Sequence, residues 1–246
     1  MRTTFFTSLS LLLSLASLSA AVHTCVNTNG IVGECISTSS CSSQGGRSDP
    51  ANLCPGDQSI QCCTWSGSAC NGQCMPNLGC GGYSDPANLC PGGAEVQCCK
   101  NNPAKLSGYS ALQSAHARQI GKAVSAMGLN RQACLAAITT GLTEASLLNY
   151  ANSGVSASYN YLYDAVSNDY DSVGVFQQRV TYYPNVANDM NPQAAATAFL
   201  KQMVNVSGWQ TMDVGKLCQA VQRSAYPDRY DANVGRASSI CSAIGF

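Results

Sequence analysis

Beyond Lys100 the chain contains one glutamate, Glu144, in "AITTGLTEASLLN" (Ala137–Asn149), at the point where an apolar run with helical spacing gives out. A carboxyl set beside Leu142, Leu147 and Leu148 is expected to be partly desolvated, which favours its protonated form and makes it a proton donor. Cleavage of a glycosidic bond needs such a donor at the leaving oxygen and a second group, or a water, on the opposite face of the sugar. Asp169 and Asp171 in "NDYDSVGVFQQR" (Asn168–Arg179) are the leading candidates to place or activate that water, with Asp164 third. Gln177 and Gln178 alternate across a strand, so one of them is expected to face a cleft. Tyr226 and Asp228 in "SAYPD" (Ser224–Asp228) could hydrogen-bond a sugar or support Glu144.

Other chemistries fit poorly. The chain has only two histidines. His116 falls on an apolar stripe and reads as a core residue, while His23 lies near the expected mature N-terminus. That leaves little for a Ser-His-Asp, Cys-His or histidine-rich zinc mechanism. No metal site and no cofactor is expected.

Several helices have to position these residues. Tyr109, Leu112, His116, Ile120, Val124 and Met127 recur at three- or four-residue spacing, predicting one helix that Gly128 can end. Asn130 can cap the next, with Leu135, Ile138 and Leu142 as its buried stripe and Glu144 at its C-terminal end. From Asn149 to Tyr183 the sequence turns to Asn, Ser, Tyr, Asp and Val without helical period, predicting loops and a small β-hairpin that includes "VGVFQQR". Helices then resume at Asn191-Pro192, at Asp213, and from about Asp228 to Ile244. The expected class is α+β, mainly helical, with a cleft between the helical body and the hairpin.

The front of the chain is organised differently. Twelve of fifteen cysteines lie between Cys25 and Cys99, and they align as two copies of C-x(3 or 9)-C-x5-C-x(9 or 12)-C-x7-C-C. Both copies carry "SDPANLCPG", at Ser48–Gly56 and Ser84–Gly92. Units this short bury little apolar area, so three bridges each would supply the missing stability. Paired "CC" is not metal-ligand spacing, and an oxidising compartment favours disulfides. Trp65 and Tyr83 are the candidate faces for stacking a sugar ring, and a role as caps or spacers is the alternative. The three remaining cysteines are expected to give a Cys218–Cys241 bridge and a buried free Cys134.

"MRTTFFTSLSLLLSLASLSAAV" has the layout of a cleaved export leader, which predicts a secreted, extracellular protein, and a monomer is expected. The expected division is residues 1–21 leader, 22–64 first module, 65–101 second module and 102–246 main domain. From Lys100 onward there are eleven Lys and Arg against eight Asp and Glu, a mildly basic balance that weakly favours an acidic polymer. No nucleic-acid or membrane partner is expected.

Two family resemblances add to this reading. The second cysteine copy resembles the β-defensin pattern, which implies first-to-fifth, second-to-fourth and third-to-sixth bridges. The segments "AITTGLTEASLLN", "NDYDSVGVFQQR", "GW" and "CQAVQRSAYPDRYDAN" resemble, in that order, the lysozyme-like domain of secreted bacterial and fungal muramidases, relatives of soluble lytic transglycosylases and goose-type lysozymes. The likeness covers roughly residues 107–246. It implies that Glu144 is the general acid of an enzyme hydrolysing the β-1,4 bond between N-acetylmuramic acid and N-acetylglucosamine in bacterial peptidoglycan, with the modules binding cell wall. A lytic transglycosylase and a non-enzymatic cell-wall-binding or defence protein are the alternatives. The Tyr- and Ser-rich stretch from Ala151 to Ser167 is longer than in shorter relatives.

Overall fold

The computed structural model describes residues 23–246, so the expected leader lies outside the described residues. In the first repeat, β1 (His23–Val26) and β2 (Val32–Ser37) form a hairpin, followed by α1 (Thr38–Ser43), β3 (Arg47–Asp49) and β4 (Ile60–Thr64). Its sheet is antiparallel in the order β1-β2-β4-β3. In the second repeat, β5 (Gln73–Pro76), β6 (Tyr83–Asp85) and β7 (Val96–Lys100) form a sheet ordered β5-β7-β6, with a 3-10 turn at Asn77–Gly79. The nine residues between Cys25 and Cys35 are what allow the additional strand β1; three residues between Cys70 and Cys74 leave no room for one. "SDPAN" folds alike in both copies: the Asp carboxylate accepts the amide two residues on (Ala51 to Asp49, Ala87 to Asp85, both 3.0 Å), and Asn52 and Asn88 take positive φ.

The bridges are Cys25–Cys62, Cys35–Cys54 and Cys41–Cys63, then Cys70–Cys98, Cys74–Cys90 and Cys80–Cys99. This is the pairing that the β-defensin resemblance implied. The two repeats also share one apolar cluster, in which Trp65 packs against Cys41 and Cys63 of the first copy and Cys74, Cys90 and Val96 of the second. Trp65 is therefore no stacking platform. At 5% exposure its ring is the core joining the repeats, and sulfur takes the place of the aliphatic side chains these segments lack.

Behind the repeats lies a helical body of α2 (Ala111–Ala126), α3 (Arg131–Ala145), α4 (Val186–Asp189), α5 (Pro192–Met203), α6 (Val214–Gln222) and α7 (Asp231–Ala243). The starts of these helices follow local sequence. Ser110 and Gln113 form a reciprocal capping box on α2, and Asn130, Asn191 and Asp213 cap α3, α5 and α6 with their side-chain oxygens. The core gathers Ile120, Ile138, Phe176, Phe199, Leu200, Leu217 and Ile240. Between α3 and α4 run β8 (Tyr150–Asn152) and β9 (Ala165–Ser167), paired in parallel, and the short hairpin β10 (Ser172–Val173) and β11 (Gln178–Arg179).

The cysteine expectation for this half is corrected. Cys134 is bonded to Cys241, and the buried free cysteine is Cys218. The reason is tertiary: α3 packs directly on α7 and brings Cys134 and Cys241 to a Cα separation of 6.1 Å, within bridging range. Cys218 instead points at α3, where its Sγ lies 3.3 Å from the Ala136 carbonyl.

The repeats are docked on the body, and the polar linker does not hang free. Gln119 Nε2 of α2 donates to the Leu78 carbonyl at 2.9 Å, Lys122 donates to the Gly82 carbonyl, and Gly81 N donates to Asn102 Oδ1 at 3.0 Å. On the other side, Thr24 N of β1 donates to the Tyr163 carbonyl at 2.7 Å and the Thr24 hydroxyl reaches Asp164. His116 is buried as expected. Its Nδ1 is 2.8 Å from the Leu147 carbonyl and 3.4 Å from the Asp164 carboxylate, so this nitrogen carries the proton.

Candidate active site

Helix α3 stops abruptly just after Glu144. Ser146 and Leu147 both adopt positive φ, and their amides close back on the Leu142 and Gly141 carbonyls. A Cβ at Gly141 would meet Leu147 and Val175 at 3.0 and 3.1 Å, so glycine lets the reversed chain and the hairpin turn press onto the last turn of α3. The result is a carboxylate held at the helix end beside the hairpin turn.

The Glu144 side chain is 12% exposed. Tyr230 Oη donates to its Oε1 at 2.5 Å, and Arg229 Nη1 lies 3.6 Å from its Oε2. Both come from the 3-10 turn Pro227–Tyr230. That turn is pinned to the end of α3 by Arg229 Nη2 on the Thr143 carbonyl (3.1 Å) and, one turn later, by Asn233 Nδ2 on Thr143 Oγ1 (3.0 Å). A guanidinium over the last carbonyls of a helix also meets the negative end of its dipole. Burial first, and its bond to the glutamate second, hold the Tyr230 phenol far above its ordinary range, so it stays a donor. Burial likewise pushes the nearby Cys218 thiol up to about 12, which makes it inert as a nucleophile.

Across the hairpin, Asp171 is engaged. Arg179 Nε reaches one oxygen, while Thr181 N (2.7 Å) and Thr181 Oγ1 (2.6 Å) donate to the other. These bonds, those from Thr181 and Arg179 above all, hold its carboxyl well below the usual range. Asp171 is thereby the clasp of the hairpin and is poorly suited to take a proton from water. Asp169 is exposed and its carboxylate accepts no hydrogen bond among the described residues, while its carbonyl is fixed by Asn152 Nδ2 at 3.1 Å. Asp164 is enclosed at the seam with β1 and is not open to a substrate.

The two glutamines differ, though not by strand alternation. Gln177 lies in the turn at φ 47°, bonding to the Gly174 carbonyl at 2.9 Å; Gln178, on β11, is buried and directed at the Ala195 carbonyl. Gln177 is thus the one nearer solvent. Gly174 has φ 76°, and a Cβ there would sit 2.0 Å from the Asp189 carbonyl, so glycine is what lets the turn dock on α4. Tyr226 (72% exposed) and Asp228 face solvent and do not touch Glu144. The residues that do hold it, Arg229 and Tyr230, begin one position beyond the "SAYPD" motif. The signal that could have found them is Pro227, which opens a tight turn and sets the next three residues on one short arc. Tyr83 is well exposed on β6, and Tyr170 and Tyr182 flank the Arg179 guanidinium at 4.8 and 5.7 Å from their ring centres.

No protein-family model and no curated protein matches the chain. Among the described residues, no helix is long and apolar enough to cross a membrane.

Proposed function

We propose that the chain is a secreted muramidase cleaving the β-1,4 bond between N-acetylmuramic acid and N-acetylglucosamine, with Glu144 as general acid. The observation that carries this reading is the partly enclosed Glu144 carboxyl, fixed through one oxygen by a buried tyrosine hydroxyl and flanked by an arginine at the other. Tyr230 orients the group, leaving Oε2 to carry the proton to the glycosidic oxygen. The C1–O bond then breaks as the leaving hydroxyl takes that proton, and Arg229 stabilises the glutamate left behind. Water adds to C1 from the opposite face, and Asp169, the free carboxylate of the hairpin segment, is the group to accept its proton. The docked repeats extend the surface on which a cell-wall polymer can lie, with Tyr83 as an exposed ring. Seven disulfides suit an oxidising, extracellular setting.

The engagement of both Asp171 oxygens favours one second reading. Glu144 would act as acid and then base, and the muramic acid 6-hydroxyl would replace water, as in a lytic transglycosylase. Purified peptidoglycan digested by the wild type and by Glu144→Gln tests both. Reducing muramic acid ends from the wild type and none from the folded variant support the hydrolase. Ends lighter by one water support the transglycosylase, and normal turnover by Glu144→Gln overturns the assignment of the acid.

A further inference from the structure

A cavity of about 240 Å³ lies at the seam between the second repeat and the helical body, away from Glu144. Leu78, Leu162 and Met190 give it an apolar wall, with Asn77, Glu95, Asn160, Tyr161 and Asn191 bringing polar groups. Pockets for whole small molecules usually run from about 300 Å³ upward, so this one suits a single side chain better than a length of glycan.

Its polar groups are unbalanced. The Asn77 amide donates to Glu95 Oε2 at 2.8 Å, leaving Asn77 Oδ1 buried with no hydrogen-bond partner. Near Glu95 lies Glu34 of β2, 8% exposed, whose carboxylate makes no hydrogen bond or ion pair among the described residues. Burial first, and the charge of Glu95 second, push Glu34 up to about 7. No Lys or Arg lines the cavity. Asn160, Asn191 and Tyr161 offer neutral donors in the same lining but no cation, so the unmatched negative charge calls for a positively charged ligand, and the apolar wall calls for an alkyl chain behind that charge. The apolar wall also disfavours a hydrated metal ion, which would need a shell of oxygens.

We propose that this seam pocket binds a primary alkylammonium group, the amine-bearing side chain of a peptide stem carried by the glycan, with Glu95 as its acceptor. The proposal rests on the peptidoglycan reading for the identity of the ligand. A side-chain bridge links the two sites. Asn149, five residues after Glu144, donates through Nδ2 to the carbonyls of Leu162 and Met190, both at 2.8 Å, so the turn leaving the catalytic helix also sets the pocket wall. The repeats would then act as a reader of the peptide as well as an anchor.

The test uses the full chain carrying Glu144→Gln, titrated calorimetrically with a disaccharide-tripeptide ending in lysine and with the same ligand acetylated on its side-chain amine. Acetylation should weaken binding by about tenfold or more, and adding Glu95→Gln, an exposed position, should bring the two ligands to similar affinity. Equal affinity for both ligands in the Glu95 protein, or loss of the preference on adding calcium, would overturn the proposal. Nα-acetyl-lysine methylamide alone separates the two readings. If it binds in a Glu95-dependent way while the disaccharide does not bind, the pocket stands and the muramidase reading falls. If peptidoglycan is cleaved but acetylation changes nothing, the pocket proposal falls alone.

Discussion

Tyr230→Phe is the sharpest probe of the proposed catalytic geometry. The ring of Tyr230 is wholly buried in the core, so phenylalanine keeps the packing and removes only the hydroxyl that donates to Glu144 Oε1. A hydrogen bond to a charged group is worth roughly 1.5–3 kcal/mol, which corresponds to about 10- to 150-fold in rate if the bond is needed at the transition state. In the proposed mechanism Tyr230 touches the acid and not the sugar, so the loss should fall on kcat, with KM changed by no more than about twofold. Soluble muropeptide oligomers of defined length provide the assay, with a thermal melt run in parallel to show that the variant folds. A folded Tyr230→Phe enzyme with kcat within about twofold of wild type would show that the bond is a packing detail and that Glu144 is oriented by other means.

Two further outcomes concern stability. Removing the bridge with Cys134→Ser and Cys241→Ser opens a 107-residue loop. The chain-entropy relation gives about 4.7 kcal/mol for a loop near that length, or a fall in Tm of about 10–20 °C for a chain of this size. Peptide mapping that finds Cys218 bridged would refute the pairing itself. Asp189, 2% exposed on α4, has its carboxyl pushed up to about 7 by burial. Since its folded value lies above the unfolded one, its contribution is fully present below about pH 4 and is lost as pH rises toward about 7. Asp189→Asn should flatten that part of the stability–pH curve in urea titrations, and an unchanged slope would assign it to other groups.

Much of the scaffold is legible because it is written locally. Asn130, Asn191 and Asp213 announce their helices within three residues, and "SDPAN" encodes its own turn through Asp49 and Asp85. The lone Glu144 at the end of an apolar helix can also be read from one window. What holds it cannot, since Tyr230 lies 86 residues downstream and no local pattern marks a phenol for a distant carboxylate. Cys134 and Cys241 escaped for the same reason: which helix lies on α3 is a property of packing. Trp65 misleads because an aromatic among polar turns looks exposed until the cysteines around it are seen to close as a core. Asp171 reads as a free base until Arg179 and Thr181, eight and ten residues on, fold back to clasp it.

The two front repeats share a motif and a bridge pattern, yet they are no longer interchangeable. Only the first has β1, whose Thr24 reaches Tyr163 and Asp164, and only the second places Leu78 under Gln119 of α2. A third copy inserted between them would part these two attachments, and exchanging their order would leave both surfaces of the body bare. The array therefore cannot lengthen or shorten by simple duplication as a string of beads does. Its copy number is fixed by two different sockets on a single body, so a tandem repeat in the sequence has become an asymmetric collar in the fold.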